Sequence, residues 1–116
     1  MTTKFEVQGR QSEMWNHQED IARAYKQCGG KKAKGAVKVT IYAVFTVPAN
    51  TRKADQIAML AGDIPPQKKP DNDGIEKVVF CALNGVTYDN VSQIVENTTV
   101  KMYGDADRIV VEVEEL

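Results

Sequence analysis

Between Ala36 and Thr46 the side chains alternate in character. Val37, Val39, Ile41, Ala43 and Phe45 fall on one side of the chain, and Lys38, Thr40, Tyr42, Val44 and Thr46 on the other. A period of two belongs to a β-strand, whose successive side chains point to opposite faces. Water cannot be left on so long an apolar face, so the chain must build a sheet around this strand and cover one side of it.

The cover is predicted from segments of helical period. Ser12 is a candidate cap for a helix reaching about Gln27, in which Met14, Trp15, Gln18, Ile21, Ala22, Tyr25 and Cys28 share a face before Gly29-Gly30 ends it. A second helix is expected from Thr51 to Ala61, stopped by Gly62. A third runs from about Asp73 to Asn84, with Ile75, Val78, Val79, Ala82 and Leu83 as its apolar face. Between the last two, Pro65, Pro66 and Pro70 hold Asp63 to Asp71 largely extended, because proline fixes φ and removes a donor.

Further strands are expected at Lys4 to Gly9, within 86–104 and within 107–115, the last two separated by the turn Tyr103-Gly104-Asp105. The order is β-α-β-α-α-β-β. That order predicts an α+β fold of two layers, with helices packed on one face of a mixed or antiparallel sheet. At 116 residues the chain is expected to form a single domain, residues 1–116.

Charge is distributed unevenly. The net charge is only −1, yet residues 21–54 hold eight basic groups and no acid, while residues 55–116 hold five basic groups and twelve acids. A +8 block beside a −7 block suits a chain that grips phosphates with one region and a cation with another, although an uneven solvated surface gives the same count. Lys31, Lys32 and Lys34 occupy a glycine-flanked connection read as a flexible loop, and Lys68 and Lys69 precede an acidic motif. All five are candidate phosphate contacts. Cys28 and Cys81 lack metal-ligand spacing and read as reduced thiols of a cytoplasmic protein. No apolar run approaches the roughly 20 residues that span a bilayer, and the first residues lack the apolar core of a signal peptide. His17 has no Cys or acid partner at ligand spacing and reads as structural.

The segment that carries chemistry is KKPDNDGIEK, Lys68 to Lys77. Asp71 and Asp73 lie two apart on an extended stretch and point the same way, and Lys77 follows Asp73 by one helical turn. Two carboxylates and an ammonium thus converge where a helix begins. Magnesium takes one or two carboxylates together with water and substrate phosphate, and a neighbouring lysine can stabilise charge on the reacting group. The same residues also fit ordinary capping, with Asp73 as N-cap, Asp71 beside the helix dipole and Lys77 a solvated partner.

Three longer stretches resemble one family. VPANTRKADQIAMLAGDIPPQKKPDND looks like the approach to the acidic motif of the RusA-type Holliday junction resolvases, where a Gly-x-Ile-Pro segment precedes Lys-Pro-Asp-x-Asp. EKVVFCALNGVTYDNVSQIV is similar to that family's helix, Ala-Leu-Asn-Gly turn and Ser-Gln-Ile strand, and KMYGDADRIVVEVEEL resembles its closing hairpin. The likeness covers roughly Phe45 to Glu114. It implies a magnesium-dependent endonuclease (manganese substituting) that resolves four-way DNA junctions as a homodimer in recombination and repair. By the same resemblance Asp71 and Asp73 match the metal-binding aspartates, and Lys77 the catalytic lysine.

The chain departs from the family at several positions. Gly74 stands where an asparagine usually follows the second aspartate, and Cys81 replaces an acid often found within the helix. Asn90 and Val91 replace an Asp-Asp pair whose second member is a third catalytic carboxylate. Valine cannot bind metal. Asp89 is the nearest substitute: in an extended strand it faces the same side as Val91, displaced by roughly 6–7 Å at about 3.3 Å per residue, a gap that a bulge would narrow. The alternative is a weakened or inactive relative that binds branched DNA without cutting it. A reading from another class is an interaction domain in which the acidic motif merely caps a helix.

Overall fold

The computed structural model describes residues 2–9 and 18–116. Ser12, Met14, Trp15 and His17, and with them the expected start of the first helix, lie outside the described residues. The elements are β1 (Thr2–Gln8), α1 (Gln18–Gln27), β2 (Val37–Thr46), α2 (Lys53–Leu60), α3 (Asn72–Leu83), a 3-10 turn (Val91–Gln93), β3 (Ile94–Gly104) and β4 (Arg108–Glu115). The strands form one mixed sheet in the order β1-β4-β2-β3. β4 runs antiparallel to both β1 and β2, and β2 runs parallel to β3. The architecture is α+β.

β2 sits inside the sheet, as its alternation requires. Val37, Val39, Ile41, Ala43 and Phe45 are buried, and their register partners on β4 bring Ile109, Val111 and Val113 to the same face. Phe5 of β1 joins them, edge-on to Tyr25 with ring centroids 5.6 Å apart. Ile21 and Tyr25 of α1 and Ile75, Val79, Ala82 and Leu83 of α3 close this layer into the hydrophobic core. Burial at roughly 25 cal/mol per Å² of apolar surface is what drives the two layers together. On the opposite face, Lys38, Thr40 and Tyr42 remain half-exposed. The core lies on one side of the sheet.

The last two strands differ from the expected hairpin. β3 and β4 do not pair with each other, because β2 lies between them. The connection crosses the end of β2 instead. There Asp107 Oδ1 accepts hydrogen bonds from the Thr46 backbone N–H at 2.8 Å and from Thr46 Oγ1 at 3.1 Å. Gly104 passes close over Val44; a Cβ on it would lie 2.5 Å from Val44 Cγ1. The crossing leaves β3 at the edge of the sheet, beside α3.

The region before β3 also differs. Val91 begins a 3-10 turn, so Asp89 and Val91 do not share a strand face. The turn forms because Asn90 caps it: its side chain accepts from Ser92 N–H at 2.9 Å, while Gln93 Oε1 accepts from Asp89 and Asn90 N–H. No helix of the described residues is long and apolar enough to cross a membrane.

Candidate active site

α3 begins one residue earlier than expected, at Asn72, with Asp71 in the N-cap position and extended backbone (φ −70°, ψ 158°). Asp73, the residue expected to cap, lies instead in the first turn. Asp71 makes no side-chain capping hydrogen bond, and Asp73 Oδ1 accepts the N–H of the adjacent Gly74 at 3.0 Å. Capping in the ordinary sense therefore does not consume these carboxylates. Both residues are exposed, as is Lys77 one turn on. The positive end of the helix dipole favours anionic side chains at this position.

The approach to α3 is fastened to β3. On the covered face of the sheet, Thr99 and Lys101 stand in register with Ile41 and Ala43 of β2. Lys101 Nζ donates to the Lys68 carbonyl at 2.6 Å, and Asn72 Nδ2 donates to the Thr99 carbonyl at 3.4 Å. Thr99 Oγ1 donates to Glu76 Oε1 at 2.8 Å. Lys68 places its ammonium 5.0 Å from the centre of the Phe45 ring, a cation–π contact. Lys69 is exposed next to it. None of these three side chains on β3 and α3 (Thr99, Lys101, Glu76) was singled out by sequence reasoning, since each partner is far away in the chain.

Asp89 lies elsewhere. It follows the C-terminal end of α3, whose twelve residues span about 18 Å at 1.5 Å per residue and begin just after Asp71. Its carboxylate pairs with Lys32 Nζ at 2.5 Å and is 75% exposed. Among the described residues, no three His, Cys, Asp or Glu side chains gather where they could hold one metal ion. Within one chain the structure thus places Asp71, Asp73 and Lys77 along the first turns of α3 and Asp89 beyond its far end. Two carboxylates suit magnesium that keeps waters and takes substrate phosphate as its remaining ligands. A set of three carboxylates does not assemble among the described residues of a single copy.

The loop bearing Lys31, Lys32 and Lys34 is at the Asp89 end, and it is held rather than flexible. Tyr25 OH donates to the Lys31 carbonyl, Ala33 N–H donates to the Thr87 carbonyl at 2.7 Å, and Gln93 Nε2 donates to the Ala33 and Gly35 carbonyls at 3.2 and 2.9 Å. Gly30 makes the turn possible, because any Cβ there would strike the Tyr25 ring at 2.5 Å. Burial raises the Tyr25 phenol above its ordinary pKa, and the Tyr88 phenol likewise, so both stay neutral donors. Tyr25 and Phe45 are core residues; Tyr42 lies half-buried on the open face. A groove lined by Lys4, Phe5, Glu6, Arg108 and Val110 lies on the β1–β4 side of the sheet and contains none of the acids of α3.

The model of the endodeoxyribonuclease RusA family matches residues 5–114, nearly the whole chain. The chain belongs to the RusA endodeoxyribonuclease family. The match begins well before Phe45, so β1 and β2 are part of the family fold, together with the acidic motif, α3 and the two later strands. Membership implies nuclease activity of the kind that resolves Holliday junctions in recombination. No curated protein matches the chain.

Proposed function

We propose that this RusA-family chain is a structure-selective endonuclease that cuts four-way DNA junctions with magnesium, or manganese in its place, as a homodimer. The observation that carries the reading is the first turn of α3, where two exposed aspartates and Lys77 stand free of capping in a chain matched by the family over residues 5–114. Asp71 and Asp73 would hold the ion. The chemistry supplied by a bound divalent ion is activation of a water and neutralisation of charge on the phosphodiester. Lys77, on the same face, places its ammonium to stabilise charge on the phosphate oxygens as the bond to the leaving oxygen lengthens. Lys68 and Lys69 hold the backbone next to the site, and Lys31, Lys32 and Lys34 hold it near the far end of α3.

A second copy gives Asp89 a role that one copy denies it. In a two-fold dimer with antiparallel α3 helices, the first turn of one helix lies beside the last turn of the other. The span that separates Asp89 from Asp71 within a chain then brings Asp89 of one copy to the aspartate pair of the other. Mixing tests this. Asp71→Asn and Asp89→Asn are each expected to lose magnesium-dependent cleavage of a labelled four-way junction. A mixture of the two regains part of it, because each mixed dimer holds one intact site. Full activity in Asp89→Asn removes Asp89 from the site, loss in both with no recovery on mixing removes the site shared between copies, and full activity in Asp71→Asn removes Asp71 from the chemistry. A parent protein that leaves the junction uncut removes the nuclease reading.

One observation favours a second reading. Val91, at the position of the family's third carboxylate, has no ligand atom, and Asn90 beside it is committed to capping the 3-10 turn. On that reading the protein retains a junction in a gel shift and leaves it uncut with magnesium or manganese. Salt weakens the complex steeply under either reading.

A further inference from the structure

We infer that Thr99 is the positioning residue for the two aspartates of α3, and that the edge strand β3 sets their geometry through it. The inference rests on reading Asp71 and Asp73 as metal ligands. The first turn of a helix leaves its N–H groups without intrahelical partners, and such turns fray unless something fixes them. Here the usual fixing is missing, since Asp71 makes no side-chain cap. Thr99 replaces it from outside the helix. Its carbonyl receives Asn72 Nδ2 and its hydroxyl donates to Glu76 at 2.8 Å. Asn72 and Glu76 are four apart, so they lie one turn from each other on the same side of α3. Asp73 sits between them in sequence, and one residue of β3 therefore grips the turn on both sides of it.

Lys101, two residues further along the same strand face, anchors the Lys68 carbonyl at 2.6 Å upstream of Asp71. The bond from Thr99 to Glu76 joins a hydroxyl to a carboxylate oxygen in half-buried surroundings, and that from Lys101 carries an ammonium donor, so both belong to the stronger class of hydrogen bond. The inference also gives Glu76 a role. Its carboxylate is committed to holding the turn, and it belongs to no cluster of three metal-binding side chains among the described residues.

The test uses the whole protein and Mn2+ alone as probe, with affinity read by calorimetry and thermal stability read alongside. Thr99→Val keeps the shape and deletes the hydroxyl; Thr99→Ser restores it. Thr99→Val is expected to weaken Mn2+ binding by about tenfold, within the range for loss of a group that orients a metal ligand. Thr99→Ser returns affinity to within about threefold of the parent, and neither variant shifts Tm by more than about 3 °C. Glu76→Gln, which keeps an acceptor for the hydroxyl, falls no further than Thr99→Val. Parent-like affinity in Thr99→Val, or a failure of Thr99→Ser to restore it, overturns the inference. So does a collapse of Glu76→Gln to the level of Asp71→Asn, which would make Glu76 a ligand. If Asp71→Asn itself binds Mn2+ as the parent does, the metal reading fails independently of the clamp.

Discussion

At its last turn α3 is embedded in the protein, whereas at its first turn it stands open to solvent. Leu83 and Thr87 are fully buried, the Thr87 carbonyl accepts from Ala33, Tyr88 OH donates to the Phe80 carbonyl at 2.5 Å, and Gln93 ties two further carbonyls of the lysine loop. At the other end Asp71, Asp73 and Lys77 are exposed, Asp71 makes no side-chain cap, and Asp73 accepts only the neighbouring Gly74 N–H. One helix end is packed into the fold, and the other is tied to β3 through Asn72 and Glu76 with its aspartates and Lys77 open to solvent. The contrast teaches where stability and chemistry were separated: substitutions at the buried end should move unfolding, and substitutions at the exposed end should move cleavage.

The sharpest way to break that contrast is to compare Asp71→Asn with Leu83→Ala. Asp71→Asn is expected to reduce junction cleavage beyond the roughly 100-fold that losing an outer-shell group costs, while urea unfolding stays within about 0.5 kcal/mol of the parent. Leu83→Ala leaves a cavity under α3 and should cost about 2–5 kcal/mol in the same unfolding experiment. If Asp71→Asn destabilises as Leu83→Ala does, the two ends are alike and the contrast is lost. A smaller effect sharpens it. Asn90→Ala removes the capping side chain of the 3-10 turn and should cost about 1 kcal/mol by the same measurement.

Much of this was legible in the sequence where the signal is local. The alternation of Val37 to Phe45 placed β2 inside a sheet, and the spacing of Ile75, Val79, Ala82 and Leu83 identified the buried face of α3. The α+β class followed from the order of elements. What escaped was non-local. Tyr103-Gly104-Asp105 looks like a hairpin turn, and only the bonds from Thr46 to Asp107, 61 residues apart, show the chain crossing β2 instead. Polar Asn97, Thr98 and Thr99 gave no period to place β3 at an edge. The acidic motif was legible from its family likeness, but the placement of Asp89 was not. That placement assumed an extended Val91, and the short capping bonds of Asn90 and Gln93 bend the chain there. Gly30, tight against Tyr25, turned an expected flexible loop into a held one.

The pairing of Lys32 with Asp89 has a consequence for how binding to DNA would be counted. A free ammonium meeting a phosphate lets the duplex shed a condensed ion into the bulk, and each such event steepens the dependence of affinity on ionic strength. Lys32 already has a counter-charge supplied by the protein itself. A phosphate seated there must compete with that carboxylate, so this cation would report as less than one in a salt titration, while Lys31 and Lys34 beside it report in full.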